Sequence, residues 1–120
     1  MKSADSPHGL EFWISVAEGP EGGSIVTVFG DLDAATSERA RQALTEGLER
    51  DGDVEVDLRG CAFVDSSGIA VLVWAAWRLK EQGRRLLLLG ARARVRSILE
   101  LAGVAGHSAI VIDAPERDDD

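Results

Sequence analysis

Residues 65–68 of the 120-residue chain read Asp-Ser-Ser-Gly, a set of residue types that could carry chemistry. An apolar stretch precedes them, and residues 69–77 after them carry no charge. If a helix begins here, its first backbone N–H groups are unpaired and positively polarised, which suits a capping side chain and also a phosphate. Two roles therefore fit Asp65 and Ser66: they cap a helix, or they display a serine for chemistry that another protein performs.

Gly68 bears on this choice because glycine in a first helical turn weakens the helix. Capping alone gives no reason for a glycine at this position. Close approach of another part of the backbone explains Gly68 better.

A serine hydrolase is not supported by the sequence. A nucleophilic serine needs a base within hydrogen-bond reach, and the two histidines, His8 and His107, lie towards the two ends of the chain. The elbow motif G-x-S-x-G is also missing, because Val64 stands where its first glycine would be. We therefore expect no catalytic serine. No other catalytic residue is assigned, and no enzymatic activity is expected.

Three acidic residues form a second constellation. Asp31 and Asp33 end the second predicted strand, and Asp65 follows the third. If those strands are neighbours, the three carboxylates gather at one edge of the sheet, where they could bind Mg²⁺ or could serve as loop residues that end strands and cap helices. The loop interpretation is favoured, so no metal and no cofactor is predicted.

Composition restricts the class of protein. The formal net charge of -8 argues against binding to nucleic acid, whose phosphates would repel the chain. No apolar run reaches the roughly 20 residues that span a bilayer, and the first ten residues lack the apolar stretch of a signal peptide. Cys61 has no partner for a disulfide. These features favour one cytoplasmic domain that binds neither nucleic acid nor membrane.

Basic residues are concentrated in the second half of the chain. Seven of the thirteen lie between positions 78 and 96, where Glu81 is the only acidic residue: Arg78, Lys80, Arg84, Arg85, Arg92, Arg94 and Arg96. They are expected either as solvated faces of helices and a strand edge or as one patch for an acidic partner.

Hydrophobic periodicity predicts eight elements. Residues 11–17, 24–33, 54–58, 84–90 and 108–112 read as strands, and segments beginning near 36, 66 and 91 read as helices. Helices that alternate with strands indicate a mostly parallel sheet, to which the first hairpin adds an antiparallel strand. The sequence therefore predicts an α/β domain with a mixed sheet of four to five strands and three or more helices.

The helix predicted from Ser66 to about Gln82 has two sides. Positions at helical spacing predict its core-facing stripe: Ile69, Leu72, Val73, Ala76 and Leu79. Four apolar residues fall outside that stripe: Ala70, Val71, Trp74 and Trp77. Both tryptophans could be core or could form an apolar patch beside Ser66, and tryptophan is enriched at interface hot spots.

Two short motifs of the chain resemble those of the STAS domain of bacterial anti-sigma factor antagonists. One signature, G-[ED]-[LI]-D, ends the second strand as Gly30 to Asp33, and the other, D-[ST]-[ST]-G, opens a helix as Asp65 to Gly68. The spacing of the two, the "VDL" strand between them and the late "VRSILELAGV" helix strengthen the resemblance. It implies a domain over residues 10–113. Residues 1–9 and 114–120 are polar, contain proline and show no periodicity, so we expect them to be disordered tails.

The resemblance also implies a function. In such proteins the unphosphorylated form binds an anti-sigma factor that is a serine kinase. This binding frees a sigma factor. The kinase phosphorylates the serine that matches Ser66, the complex dissociates, and a serine phosphatase restores the free form. The implied partner-binding residues are Asp31, Asp33, Asp65, Ser66, Ser67, Gly68, Val71 and Trp74.

An alternative function uses the same fold without a phosphorylation switch. STAS domains also serve as accessory or scaffold modules of transporters and signalling complexes. Retention of both Asp33 and Ser66 favours the antagonist, because a module used only for docking does not need the phosphate acceptor. Trp74 departs from many relatives, which have a small residue there.

Overall fold

One five-stranded sheet organises the protein, and the computed structural model describes residues 12–112. The strands lie in the order β1-β2-β3-β4-β5, with β1 antiparallel to β2 and all other neighbours parallel. In chain order the elements are β1 (Trp13–Glu18), β2 (Ser24–Leu32), α1 (Ser37–Leu48), β3 (Val54–Val64), α2 (Ser66–Lys80), β4 (Leu86–Leu89), α3 (Ala93–Leu101) and β5 (Ile110–Ile112).

The predicted α/β class and element order are confirmed. The alternation in the first strand determines which of its side chains face the core. Phe12 is buried and Ile14 is half-buried, whereas Trp13 is exposed. The continuous apolar run of β4 is predicted to be covered on both sides, but Leu86 and Leu88 are buried whereas Leu87 and Leu89 are half-buried, so the second side is covered only in part. The tails expected at 1–9 and 114–120 lie outside the described residues.

The core lies between the sheet and the helix pair α1 and α2, which pack side by side. The largest fully buried side chains come from all of these elements and include Val26, Leu44, Val56, Leu72 and Leu88. α3 packs against β3. No helix within residues 12–112 is both long and apolar enough to cross a membrane.

β3 is longer than the sequence pattern predicts. The alternating segment ends near residue 58, but the strand continues to Val64. Residues 54–57 pair with both neighbours, and the continuation pairs with β2 alone, through two shifts in register. Those irregularities explain why the continuation lacks a clean period of two. They carry the end of β3 beyond β4, next to the end of β2.

The core-facing stripe of α2 differs from the predicted one. Its buried residues are Gly68, Leu72, Ala75, Ala76 and Leu79, whereas Ile69 and Val73 are only half-buried. Small residues on the buried side let the helix approach its neighbours closely. The buried side of α2 is therefore rotated relative to the side that the spacing of large apolar residues predicts.

Arg84 corrects the expectation that the basic residues of this region lie at the surface. It is 9% exposed, and β4 begins after it, at Leu86. Its guanidinium donates hydrogen bonds to the backbone carbonyls of Leu48, Arg50 and Gly52 and to the side-chain oxygen of Gln82. A buried cation of this kind joins the end of α1 to the segment that leads into β3.

Candidate functional site

The two sequence signatures meet at one edge of the sheet. The parallel register places Asp31 beside Phe63 and Leu32 beside Val64, so the ends of β2 and β3 are neighbours. The backbone N–H of Asp65 donates a hydrogen bond to the carbonyl oxygen of Leu32 at 3.0 Å. The expectation that these strands are adjacent is confirmed, and the acids at their ends share one edge.

Asp65, rather than Ser66, caps α2. Its Oδ1 accepts hydrogen bonds from the backbone N–H groups of Ser67 at 2.8 Å and Gly68 at 3.3 Å. Two of the unpaired donors at the helix start are thereby satisfied. Ser66 occupies the first helical position, is exposed, and is not needed for the cap.

Gly68 is required by the close approach of Leu32. A Cβ atom at position 68 would lie 2.6 Å from the Leu32 carbonyl oxygen and 2.7 Å from the Leu32 Cβ, distances that real side chains do not show. The predicted backbone approach is therefore present. Gly68 is buried, and this close approach gives it a packing role between α2 and β2.

We expect Gly68→Ala to lower the free energy of unfolding by about 1–3 kcal/mol, because the added methyl group must push α2 away from β2. The better helix propensity of alanine offsets about 1 kcal/mol at most. Urea denaturation followed by circular dichroism measures the change. Gly106→Ala is the matched control, since a Cβ there meets nothing within 4 Å. Equal midpoints for the two variants would contradict the packing role.

Asp33 organises the turn between β2 and α1. Its Oδ1 accepts from the backbone N–H groups of Ala35 at 3.0 Å and Thr36 at 3.2 Å. The Thr36 hydroxyl donates to the carbonyl oxygen of Asp31 at 2.7 Å. Thr36 stands at the N-cap position of α1 but makes no side-chain cap bond. The turn therefore holds Asp33 in a fixed place beside the start of α2.

The carboxylates of this edge act on the backbone. Asp33 and Asp65 each accept backbone N–H hydrogen bonds, as the loop interpretation expects, and Asp31 is exposed. Among residues 12–112, no group of three or more histidine, cysteine or acidic residues is arranged to hold a metal ion.

Beneath this edge, burial raises the pKa of the Cys61 thiol, which is fully enclosed in the core.

The two tryptophans of α2 have different environments. Trp74 is half-buried against the core, and its ring lies 4.7 Å from the guanidinium carbon of Arg41 and 5.7 Å from that of Arg78. Trp77 is 52% exposed and meets the His107 ring edge-to-face, with centroids 4.7 Å apart. Trp74 therefore lies partly in the core, whereas Trp77 lies at the surface.

Most of the predicted site residues lie along the start and side of α2. Ser66 is exposed, and Ser67, Val71 and Trp74 are half-buried on successive turns. The sequence does not show that Arg41 of α1 belongs to this surface, because the pairing of α1 with α2 cannot be read from one helix alone. Its contact with Trp74 extends this surface across both helices.

Comparisons with known proteins place this arrangement in an α/β class with a common fold. A structure of an anti-sigma factor antagonist from Mycobacterium paratuberculosis superposes with a TM-score of 0.73 at 21% identity, covering 89% of each chain. The unphosphorylated form of the anti-sigma factor antagonist SpoIIAA superposes with a TM-score of 0.70 at 17% identity, covering 85% of this chain and 89% of the other.

Sequence comparison identifies the family. A family model described as "Mlab, STAS domain" matches residues 16–113. The anti-sigma-B factor antagonist of Listeria monocytogenes is 30% identical over 81 residues, which cover 67% of this chain and 71% of the relative. The chain therefore belongs to the STAS domain family.

Proposed function

We propose that the protein is an anti-sigma factor antagonist controlled by phosphorylation of Ser66. Its unphosphorylated form binds an anti-sigma factor with serine kinase activity in the cytoplasm, and a sigma factor is released. Transfer of phosphate to Ser66 ends the binding, and a serine phosphatase restores it. The protein itself performs no catalysis in this scheme.

The observation that carries the proposal is that Asp65 caps α2 and Ser66 does not. Asp65 supplies the cap of α2, so the exposed hydroxyl of Ser66 can be modified without breaking a hydrogen bond that holds the helix. The start of α2 also presents a partial positive potential that stabilises an added phosphate. The fold can therefore remain intact while the surface charge changes.

Three further features support a protein partner. The names of the curated relatives refer to antagonism of anti-sigma factors, which gives the class of partner. The capped turn fixes Asp33 beside α2, and the exposed Asp31 lies at the same edge. Val71 and Trp74 continue this surface along the helix as half-buried apolar side chains. A surface with a rigid backbone and apolar side chains suits protein recognition.

Phosphate transfer to Ser66 is the direct test. The purified protein is incubated with ATP and the serine-kinase anti-sigma factors of its own organism, and its mass is then measured. We expect a gain of one phosphate that Ser66→Ala abolishes. Ser67→Ala is the matched control and keeps the gain, because the half-buried Ser67 is not the acceptor.

Two outcomes would reject the switch. One is no mass gain with any of these kinases, and the other is a gain that persists in Ser66→Ala. A protein that neither binds these anti-sigma factors nor is phosphorylated would instead fit the alternative of an accessory or scaffold module of a transporter or signalling complex.

A further inference from the structure

The solvent side of α2 forms a continuous uncharged line that starts at Ser66. Ser66, Ala70, Val73 and Trp77 follow the spacing i, i+4, i+7, i+11, which places them in one row along a helix. Three of the four are exposed, and Val73 is half-buried. At 1.5 Å per residue the row is about 16 Å long. We call these four residues the outer row of α2.

Three cations gather at the far end of the outer row. Arg41 and Arg78 flank the ring of Trp74, and the Lys80 ammonium lies 5.1 Å from the centre of the Trp77 ring. All three are exposed, and none of them forms an ion pair with a carboxylate within residues 12–112.

The two ends of the surface therefore differ in charge. Asp65 and the exposed Asp31 lie at the Ser66 end, whereas the far end carries Arg41, Arg78 and Lys80 against one acid, the exposed Glu81 that follows Lys80. In a chain of net charge -8, three exposed cations against one acid leave this end net positive, which is a local reversal of sign. Such a reversal favours a partner with acidic groups at that end and disfavours the opposite orientation.

Trp77 is exposed but is held in place by its neighbours. Its ring packs against His107, whose Nδ1 accepts a hydrogen bond from the backbone N–H of Ala109 at 3.1 Å, just before β5. The imidazole is thus tied to the sheet and supports the indole from one side. A large aromatic side chain that is already ordered loses little conformational entropy when a partner covers it.

We propose that the outer row of α2 and the three cations beyond it form the docking surface for an acidic segment of the anti-sigma factor. This inference rests on the proposed function, because it names the chemistry of the same partner. Apolar groups of the partner cover Ala70 and Val73, its carboxylates face Arg41 and Arg78, and Trp77 is the anchor between them. Phosphorylation at one end and charge pairing at the other then act on a single interface.

The test measures binding of the anti-sigma factor to charge variants by calorimetry or biosensor. We expect Arg41→Glu/Arg78→Glu to weaken binding about 10- to 100-fold, mainly through slower association, because like charges then face each other. Trp77→Ala is expected to weaken binding at least about 10-fold through faster dissociation. Arg78→Lys keeps the charge and most of the affinity.

The matched control is Arg94→Glu, which makes at an exposed position on α3 the charge change that each of the two arginine substitutions makes. We expect it to leave affinity within about 2-fold, since single charges away from the contact contribute little. Thermal unfolding of each variant confirms that these surface substitutions leave the fold intact.

The outcomes separate this inference from the function on which it rests. If the unmodified protein binds no anti-sigma factor, the proposed function fails. If it binds, and Ser66→Asp abolishes binding while Arg41→Glu/Arg78→Glu and Trp77→Ala bind like the unmodified protein, only the docking surface is overturned. If these substitutions instead convert a dimer to a monomer, as measured by light scattering, and leave the affinity for the anti-sigma factor unchanged, the surface binds a second copy of the chain. That result would also overturn the proposal.

Discussion

Arg84→Met is expected to lower the free energy of unfolding by about 2–4 kcal/mol, the largest stability change of any single substitution considered for this fold. The variant keeps the apolar stem of the side chain but removes the buried guanidinium. Because domains of this size are stable by only about 5–15 kcal/mol, the loss is a large share of the total.

The reason lies in the groups that the guanidinium serves. Leu48 is the last residue of α1, and the last carbonyls of a helix have no partner within it. The Arg84 side chain donates to the carbonyls of Leu48, Arg50 and Gly52, so it acts as a C-terminal cap of α1 supplied from the segment just before β4. Methionine cannot donate hydrogen bonds, so these partly buried carbonyls lose their partner. Each carbonyl that water cannot reach then lowers the free energy of unfolding by about 1–3 kcal/mol.

The adjacent arginine provides a matched control. Arg85 is exposed and pairs with Asp53 at 3.3 Å, so Arg85→Met removes the same charge from a solvated ion pair. That loss is expected to be about 1 kcal/mol or less. Urea denaturation of both variants measures the difference, and equal midpoints would show that the buried contacts of Arg84 do not stabilise the fold.

The contrast between these two arginines shows one limit of sequence reasoning. Both belong to the same basic segment, and composition alone places basic side chains at the surface. Only the three-dimensional arrangement brings the end of α1 to Arg84, because the carbonyls involved lie more than thirty positions away in the chain. Buried polar contacts of this kind leave no periodic signal.

The element order was predictable because it rests on local periodicity. Alternation in β1 and helical spacing in α1 and α3 each arise from one buried side, and the structure confirms these elements. The length of β3 was not predictable, since register shifts interrupt its alternation before Val64. The rotation of α2 was missed because Gly68 and Ala75 are too small to appear in an apolar pattern, yet both are buried.

The candidate site was predictable to the extent that its residues form motifs. The two signatures identified Asp33, Asp65 and Ser66, and the adjacency of β2 and β3 brings them to one edge. The contacts of Trp74 and Trp77 were not predictable, because a helical wheel is ambiguous by one position and does not show which helix lies beside it. Arg41 and His107 enter the surface only through tertiary packing.

A negative charge at position 66 is expected to weaken binding of the anti-sigma factor about 100-fold, the largest change in affinity that the proposed switch requires. Phosphorylation adds about -1.5 to -2 charges beside Asp65, at the acidic end of the surface. A partner that accepts the neutral serine must then desolvate this charge or leave it unpaired, and either costs several kcal/mol at an interface. A loss of about 2.7 kcal/mol corresponds to the expected 100-fold change.

The fold is expected to tolerate the same charge. Ser66 lies at the first position of α2, where a negative group interacts favourably with the helix dipole by about 0.3–1 kcal/mol. The cap made by Asp65 does not involve the Ser66 side chain. Thermal unfolding of the phosphorylated protein should therefore give a midpoint equal to or slightly above that of the unmodified form, which separates a switch in binding from a loss of structure.

Ser66→Asp and Ser66→Asn separate charge from size, because the two side chains differ by one charge and have nearly the same shape. If charge is the mechanism, Ser66→Asp binds the anti-sigma factor far more weakly than Ser66→Asn, and added salt reduces the difference by screening. Equal losses for both variants would show that position 66 is sterically closed in the complex. Unchanged affinity for both would place the contact elsewhere on the surface. An exposed serine at the end of an uncharged row is an effective switch only if its partner covers it closely, and this pair of variants measures that coverage.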